Sequence, residues 1–189
     1  MAMPALADHR WTAAEVQALP DDSLHRTECV DGVLLVSPAP RTLHQSAVLV
    51  LAVRLEPLVR QAGVGAVFVA PSDWVLDPHT LVQPDVYVTP LFDGRRPRTD
   101  DERGHPLLFI EVLSPGTARF DRVVKRERYL RADIEYWIVD LDSRLFERWL
   151  PGEDRPTIHA VELVWTPAGA SAPLVISLEP FFTEVLGPV

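Results

Sequence analysis

Glu111 stands in the middle of residues 107–113, LLFIEVL, a run that is otherwise apolar. Such a run reads as a strand buried on both faces. An ionised carboxylate there is costly unless a cation or several hydrogen bonds compensate it. Asp85 follows Pro84 and opens the run VYV, where proline can begin a strand and the next side chain projects from the sheet. Paired carboxylates on neighbouring strands suit magnesium or manganese, hard cations that take oxygen ligands and retain several waters. The alternative is that Glu111 pairs with an Arg or His in the core while Asp85 caps a turn.

Asp121, Lys125 and Tyr129 follow at i, i+4 and i+8, one stripe of a helix. A lysine beside a metal-bound water orients that nucleophile, lowers its pKa or stabilises negative charge developing on a phosphate. On spacing alone, an Asp121–Lys125 surface pair, worth a few tenths of a kcal/mol, explains the same residues.

The elements that must position these residues are punctuated by 18 prolines and 9 glycines. Residues 11–19 read as a short helix with Thr12 as N-cap and Glu15 completing a capping box. Residues 27–30 and 33–36 flank Asp31-Gly32, the signal for a two-residue hairpin. Apolar residues recur at helical spacing over residues 41–62, with Gly63 at the C-cap position. Residues 66–70, 73–76 and 82–89 read as an antiparallel meander. Residues 92–106, rich in charge, Gly and Pro, read as a mobile surface loop.

Strand 107–113, a helix at about 117–132 and strand 136–140 form a right-handed parallel crossover. Residues 145–150 add a hairpin partner, 159–165 and 174–178 further strands, and 180–186 a closing helical turn. The order predicts an α/β, or α+β, mixed sheet with helices packed against it.

With 189 residues, 47% of them hydrophobic, the chain is long enough for one core, so a single domain over residues 1–189 is expected. No stretch approaches the ~18 uncharged apolar residues of a membrane span, and the N-terminus lacks the pattern of a signal peptide. A soluble cytoplasmic protein with no membrane partner is expected. Cys29 is the only cysteine, which excludes an intramolecular disulfide and a cysteine-based zinc site. The net charge of −9 weighs against nucleic acid as a partner, since phosphate contacts come from Lys and Arg. A locally basic face or a bound cation reverses the local sign. Arg119, Arg122 and Arg126 on the second long helix form such a face, with Arg128 and Arg131 beyond. The arginines of residues 92–106 are balanced by acids in the same loop.

The runs QPDVYV, LFIEVLSPGTARFDRVVKRERYLRADIEYWIVD and ECVDGVLLVSPAPRTLHQ resemble the Uma-type restriction endonuclease family, a branch of the PD-(D/E)XK nucleases, over about residues 27–149. The resemblance implies a restriction-endonuclease-like core with a central mixed sheet flanked by helices and extra β-hairpins at both ends, the C-terminal extension covering residues 150–189. It implies Asp85, Glu111 and Lys125 as catalytic residues, the lysine having moved to the helix from the position that Leu113 occupies. Asp85, Glu111 and the backbone carbonyl of Val112 would hold magnesium or manganese for hydrolysis of DNA. Ser114, Asp121 and Tyr129 match the pattern around the site. The resemblance also directs Glu28 and His44 to the metal cleft in supporting roles; a cross-strand pair of Glu28 with Arg26 or Arg41, and a solvent-bonded His44, are the alternatives. A homodimer through the apolar residues 174–189 is compatible with the resemblance.

Overall fold

The computed structural model describes residues 9–20 and 24–188, and the chain forms two compact units. The first comprises Met1–Ala39 and Ser72–Gln83. Its helix α1, Ala13–Gln17, begins with the expected capping box between Thr12 and Glu15. Strands β1 (His25–Val30) and β2 (Val33–Pro38) pair antiparallel across Asp31 and Gly32. Both turn residues have positive φ, 56° and 83°, as a two-residue hairpin turn requires. With β4 (Trp74–Asp77) and β5 (Thr80–Val82) they form a four-stranded sheet in the order β2-β1-β5-β4. Ala13, Val16, Cys29 and Leu81 make its small core.

The second unit comprises Pro40–Pro71 and Pro84–Val189. Its frame is a six-stranded sheet in the order β10-β9-β8-β7-β6-β3. The strands are β3 (Gly65–Val69), β6 (Val86–Pro90), β7 (Leu108–Val112), β8 (Glu135–Asp140), β9 (Leu145–Trp149) and β10 (Thr157–His159). Only β7 and β8 pair in parallel, and the connection between them carries α3 (Ala118–Phe120), a π-helical turn (Asp121–Lys125) and α4 (Arg126–Arg131).

One face of this sheet is apolar. Val67, Val86, Val88, Leu108, Ile110, Val112, Trp137, Val139 and Phe146 pack against α2 (Thr42–Ala62), the β11–β12 pair (Glu162–Trp165 and Leu174–Ser177) and α5 (Leu178–Leu186). α2 ends where Gly63 takes a left-handed conformation, φ 68°. By length and composition α2 would also suffice to cross a membrane, but its buried stripe of Ala47, Val50, Leu51, Leu55 and Val59 belongs to this core.

Two expectations are corrected. Residues 82–89 are not one strand: β5 ends at Val82, β6 starts at Val86, and the two lie in different sheets. The break falls at Gln83-Pro84, because proline offers no N–H to a ladder, and β3 therefore pairs with β6 while β4 pairs with β5. Residues 92–106 are tied rather than loose, with a 3-10 turn at Asp100–Glu102 and a two-pronged Arg95–Glu102 ion pair of 2.6 and 2.7 Å. In the segment expected to offer a dimer face, Leu174, Ile176, Leu178, Phe181, Phe182 and Val185 are buried in the chain's own core, and Val189 lies outside the described residues.

Candidate functional site

The other face of the six-stranded sheet carries acids and aromatics. Side chains two apart along a strand share a face, so the pairing register can be read as rows. Phe68, Tyr87, Phe109, Tyr136 and Trp149 stand opposite one another across five strands. The next row holds Ala70, Asp85, Glu111, Ile138 and Glu147: Glu111 pairs with Ile138 and Ile138 with Glu147. Continuing the β6–β7 register from Val86↔Ile110 sets Asp85 opposite Glu111. Directly opposed residues have Cβ atoms about 4.5–5.5 Å apart. A row of acids thus lies beside a row of aromatics.

Asp85 Oδ2 accepts hydrogen bonds from the Val112 N–H at 2.9 Å and lies 2.9 Å from His44 Nε2. Pro84 lies two residues before β6, whose ladder with β7 begins at Val86↔Ile110. Pro84 has no N–H to offer the ladder, and the Val112 N–H goes to the Asp85 carboxylate instead. The N–H and C=O of one strand residue point to the same neighbour, and the Val112 carbonyl therefore faces the side on which Asp85 sits.

Glu111 Oε1 receives Lys125 Nζ at 2.9 Å and the Tyr129 hydroxyl at 3.0 Å. Lys125 Nζ is also 3.8 Å from Asp121 Oδ1. The helix that supplies these groups opens into a π turn between Asp121 and Lys125, a feature frequent at functional sites. A π turn holds more residues than the 3.6 of an α turn, so residues four apart return more nearly to one line. Asp121, Lys125 and Tyr129 are accordingly all buried, at 3%, 3% and 0% exposure. The Tyr129 ring is wedged edge-on between Phe109 and Tyr136, centroids 4.9 Å from each. Burial first, then the charges of Asp121, Glu111, Asp85 and Glu147, raise the Tyr136 pKa well above the usual phenol range. Its hydroxyl stays protonated and points to the Asp121 carbonyl at 3.4 Å.

Formal charges on the buried residues Asp85, Glu111, Asp121 and Lys125 sum to −2. Buried charge of one sign is costly, and a surplus of acids over lysine is a setting that suits a cation. Among the described residues no three His, Cys, Asp or Glu side chains form a ready cage. Two carboxylates and a carbonyl do, however, suit magnesium, which keeps several waters and is rarely caged by protein alone. The donor set fits that group.

The structure brings Asp85, Glu111, Asp121, Lys125, Tyr129 and His44 together. Glu28 belongs to the first unit, where its Oε1 accepts the Gln83 N–H at 2.7 Å. Arg26 donates to the Gln83 carbonyl at 3.1 Å. Ser114 bonds to Thr117 at 2.9 Å. Of the three arginines expected at a phosphate, Arg122 is held by Asp140 at 2.7 Å and Glu147 at 2.8 Å, and Arg126 lies over the Trp149 ring at 4.5 Å. Arg119 is exposed. Sequence reasoning missed Tyr136 and Glu147. The alternation within EYWIVD and LFERW placed both on one face of their strands, but only pairing register sets Glu147 in the row of Glu111 and Tyr136 in the aromatic row beside it.

The Uma2 family, described as "Putative restriction endonuclease", matches residues 13–182. The chain belongs to the Uma2 family. A solved structure from Anabaena variabilis, described as a "putative nuclease belonging to DUF820", superposes with a TM-score of 0.76 and 20% identity, over 93% of this chain and 99% of that one. That likeness carries the fold alone, a mixed α/β core with a central mixed sheet flanked by helices. No curated protein matches the chain in sequence.

Proposed function

We propose that this Uma2 protein is a magnesium- or manganese-dependent endonuclease that hydrolyses phosphodiester bonds of DNA. The observation that carries the reading is the meeting of Asp85, Glu111 and Lys125 on one sheet face, with Lys125 Nζ 2.9 Å from Glu111 Oε1. Asp85, Glu111 and the Val112 carbonyl would hold the cation, which when bound supplies Lewis-acid polarisation and a lowered water pKa. His44 and the Val112 N–H fix the Asp85 carboxylate, and Tyr129 and Lys125 fix that of Glu111, so neither acid has to reorganise as the reaction begins. Lys125 places a positive charge where the phosphate gains negative charge. A cytoplasmic location belongs to the same proposal, supported by a single, buried cysteine.

The test is incubation of labelled single- and double-stranded DNA with each metal and with the wild type or Glu111→Ala. Internal cleavage by the wild type alone is expected; equal cleavage by both proteins overturns the assignment.

A second reading, a non-catalytic nuclease-fold binding protein, is favoured by the net charge of −9 and by the occupied Arg122. It predicts no cleavage and no rise in melting temperature with magnesium, whereas a filled site stabilises by mass action.

A further inference from the structure

The six-stranded sheet has two edges, and they differ. β10 is only three residues long, and a short edge strand is a common defence against unwanted pairing. β3, GAVFV, is five residues long and has no charge, no proline and no bulge. With Val64 and Ala70 it makes an uncharged apolar stretch of high β propensity, the composition that pairs with other chains when exposed.

Its register shows which groups face outward. The Ala70 N–H donates to the Asp85 carbonyl at 3.1 Å, and antiparallel pairs alternate. Ala66, Phe68 and Ala70 therefore direct their backbone groups to β6, while Gly65, Val67 and Val69 direct theirs to the open edge. At the centre of that edge two side chains stand in for a strand. Glu56 of α2 accepts the Val67 N–H at 3.0 Å. Arg96, from the charged loop, donates to the Val67 carbonyl, bonds Glu56 at 2.9 Å and lies over the Phe68 ring at 4.3 Å.

We infer that the Glu56–Arg96 pair is a strap that closes the β3 edge against pairing with β3 of a second copy of this chain. The occupant follows from the edge itself: an uncharged segment meets its own copy antiparallel across a two-fold axis, with the same residues contributed from both sides. The strap also accounts for the order in the charged loop, since Arg96 has three anchors on β3 and α2.

Sedimentation velocity over a concentration series tests this, with near-UV circular dichroism to follow packing. Three proteins are compared: the wild type, Glu56→Ala/Arg96→Ala, and the double variant carrying Val69→Lys, which charges the edge without restoring the strap. The double variant is expected to form concentration-dependent species larger than the wild type. Adding Val69→Lys is expected to abolish them. A double variant that sediments as the wild type does at every concentration overturns the inference. So does association that Val69→Lys leaves in place, because it then arises from general unfolding and not from the edge.

Discussion

Lys125 Nζ lies 2.9 Å from Glu111 Oε1, with the two side chains exposed by only 4% and 3%. Removing one member of such a buried pair leaves the other charge uncompensated, typically at about 3–5 kcal/mol. Lys125→Met should therefore destabilise the fold by that order in denaturant unfolding without divalent metal. The double variant Lys125→Met/Glu111→Leu should recover most of the loss. A double variant whose losses simply add would show that the pair does not act as a unit.

Pro84 matters for what it withholds. Pro84→Ala supplies an N–H just before β6 and lets the ladder extend toward the Val112 carbonyl, a proposed cation ligand. The magnesium concentration giving half-maximal thermal stabilisation should rise about tenfold, in the range seen when the groups that orient metal ligands are changed. An unchanged midpoint would remove Val112 from the ligand set.

The arginines separate by what already holds them. Arg122 bridges Asp140 and Glu147, which against burial raise its pKa, while the Ser143 N–H and then Arg122 outweigh burial to lower that of Asp140. Arg122→Ala should lower stability and leave the salt dependence of DNA binding as it is. Arg119→Ala should leave stability intact and reduce the slope of log K against log salt by about one unit. The reverse pattern would return Arg122 to the phosphate-binding face.

How far the sequence disclosed all this depends on distance along the chain. The Asp31-Gly32 hairpin, the Thr12 capping box and the Gly63 stop are local, and the structure carries each as read. Glu111 was legible because one acid interrupts an apolar strand. Residues 82–89 read as one run because a proline at a strand start and a proline between two sheets look alike in sequence; Pro84 marks the passage from one sheet to another. The π turn leaves no periodic trace, and the shared rows of Asp85, Glu111 and Glu147 depend on pairing between β6, β7, β8 and β9. The Arg96 strap was likewise hidden, because Glu56 lies 40 residues away.

The charged loop has its own pH signature. The Arg95 side chain, then the Arg98 N–H, hold the Glu102 pKa down to about 2, against about 4.3 for an unperturbed glutamate. A depressed folded-state pKa gives stability that is present above the unfolded value and lost as pH falls through the folded one. Glu102→Gln should thus be less stable than the wild type at neutral pH, and the difference should shrink between about pH 4.3 and pH 2. A difference constant over that window would mean that Glu102 acts by packing and not by charge.

We propose that the acid row and Lys125 on the second sheet face cut DNA with the help of a hard cation. The most direct test is the initial rate of plasmid nicking across a magnesium titration, for the wild type, Glu111→Ala and Lys125→Ala. Nicking is expected to saturate with magnesium in the wild type and to fall at least about a hundredfold in both variants, as loss of one charge-stabilising group does elsewhere. Nicking by the wild type that persists in EDTA, or variants that match the wild-type rate, would contradict this proposal.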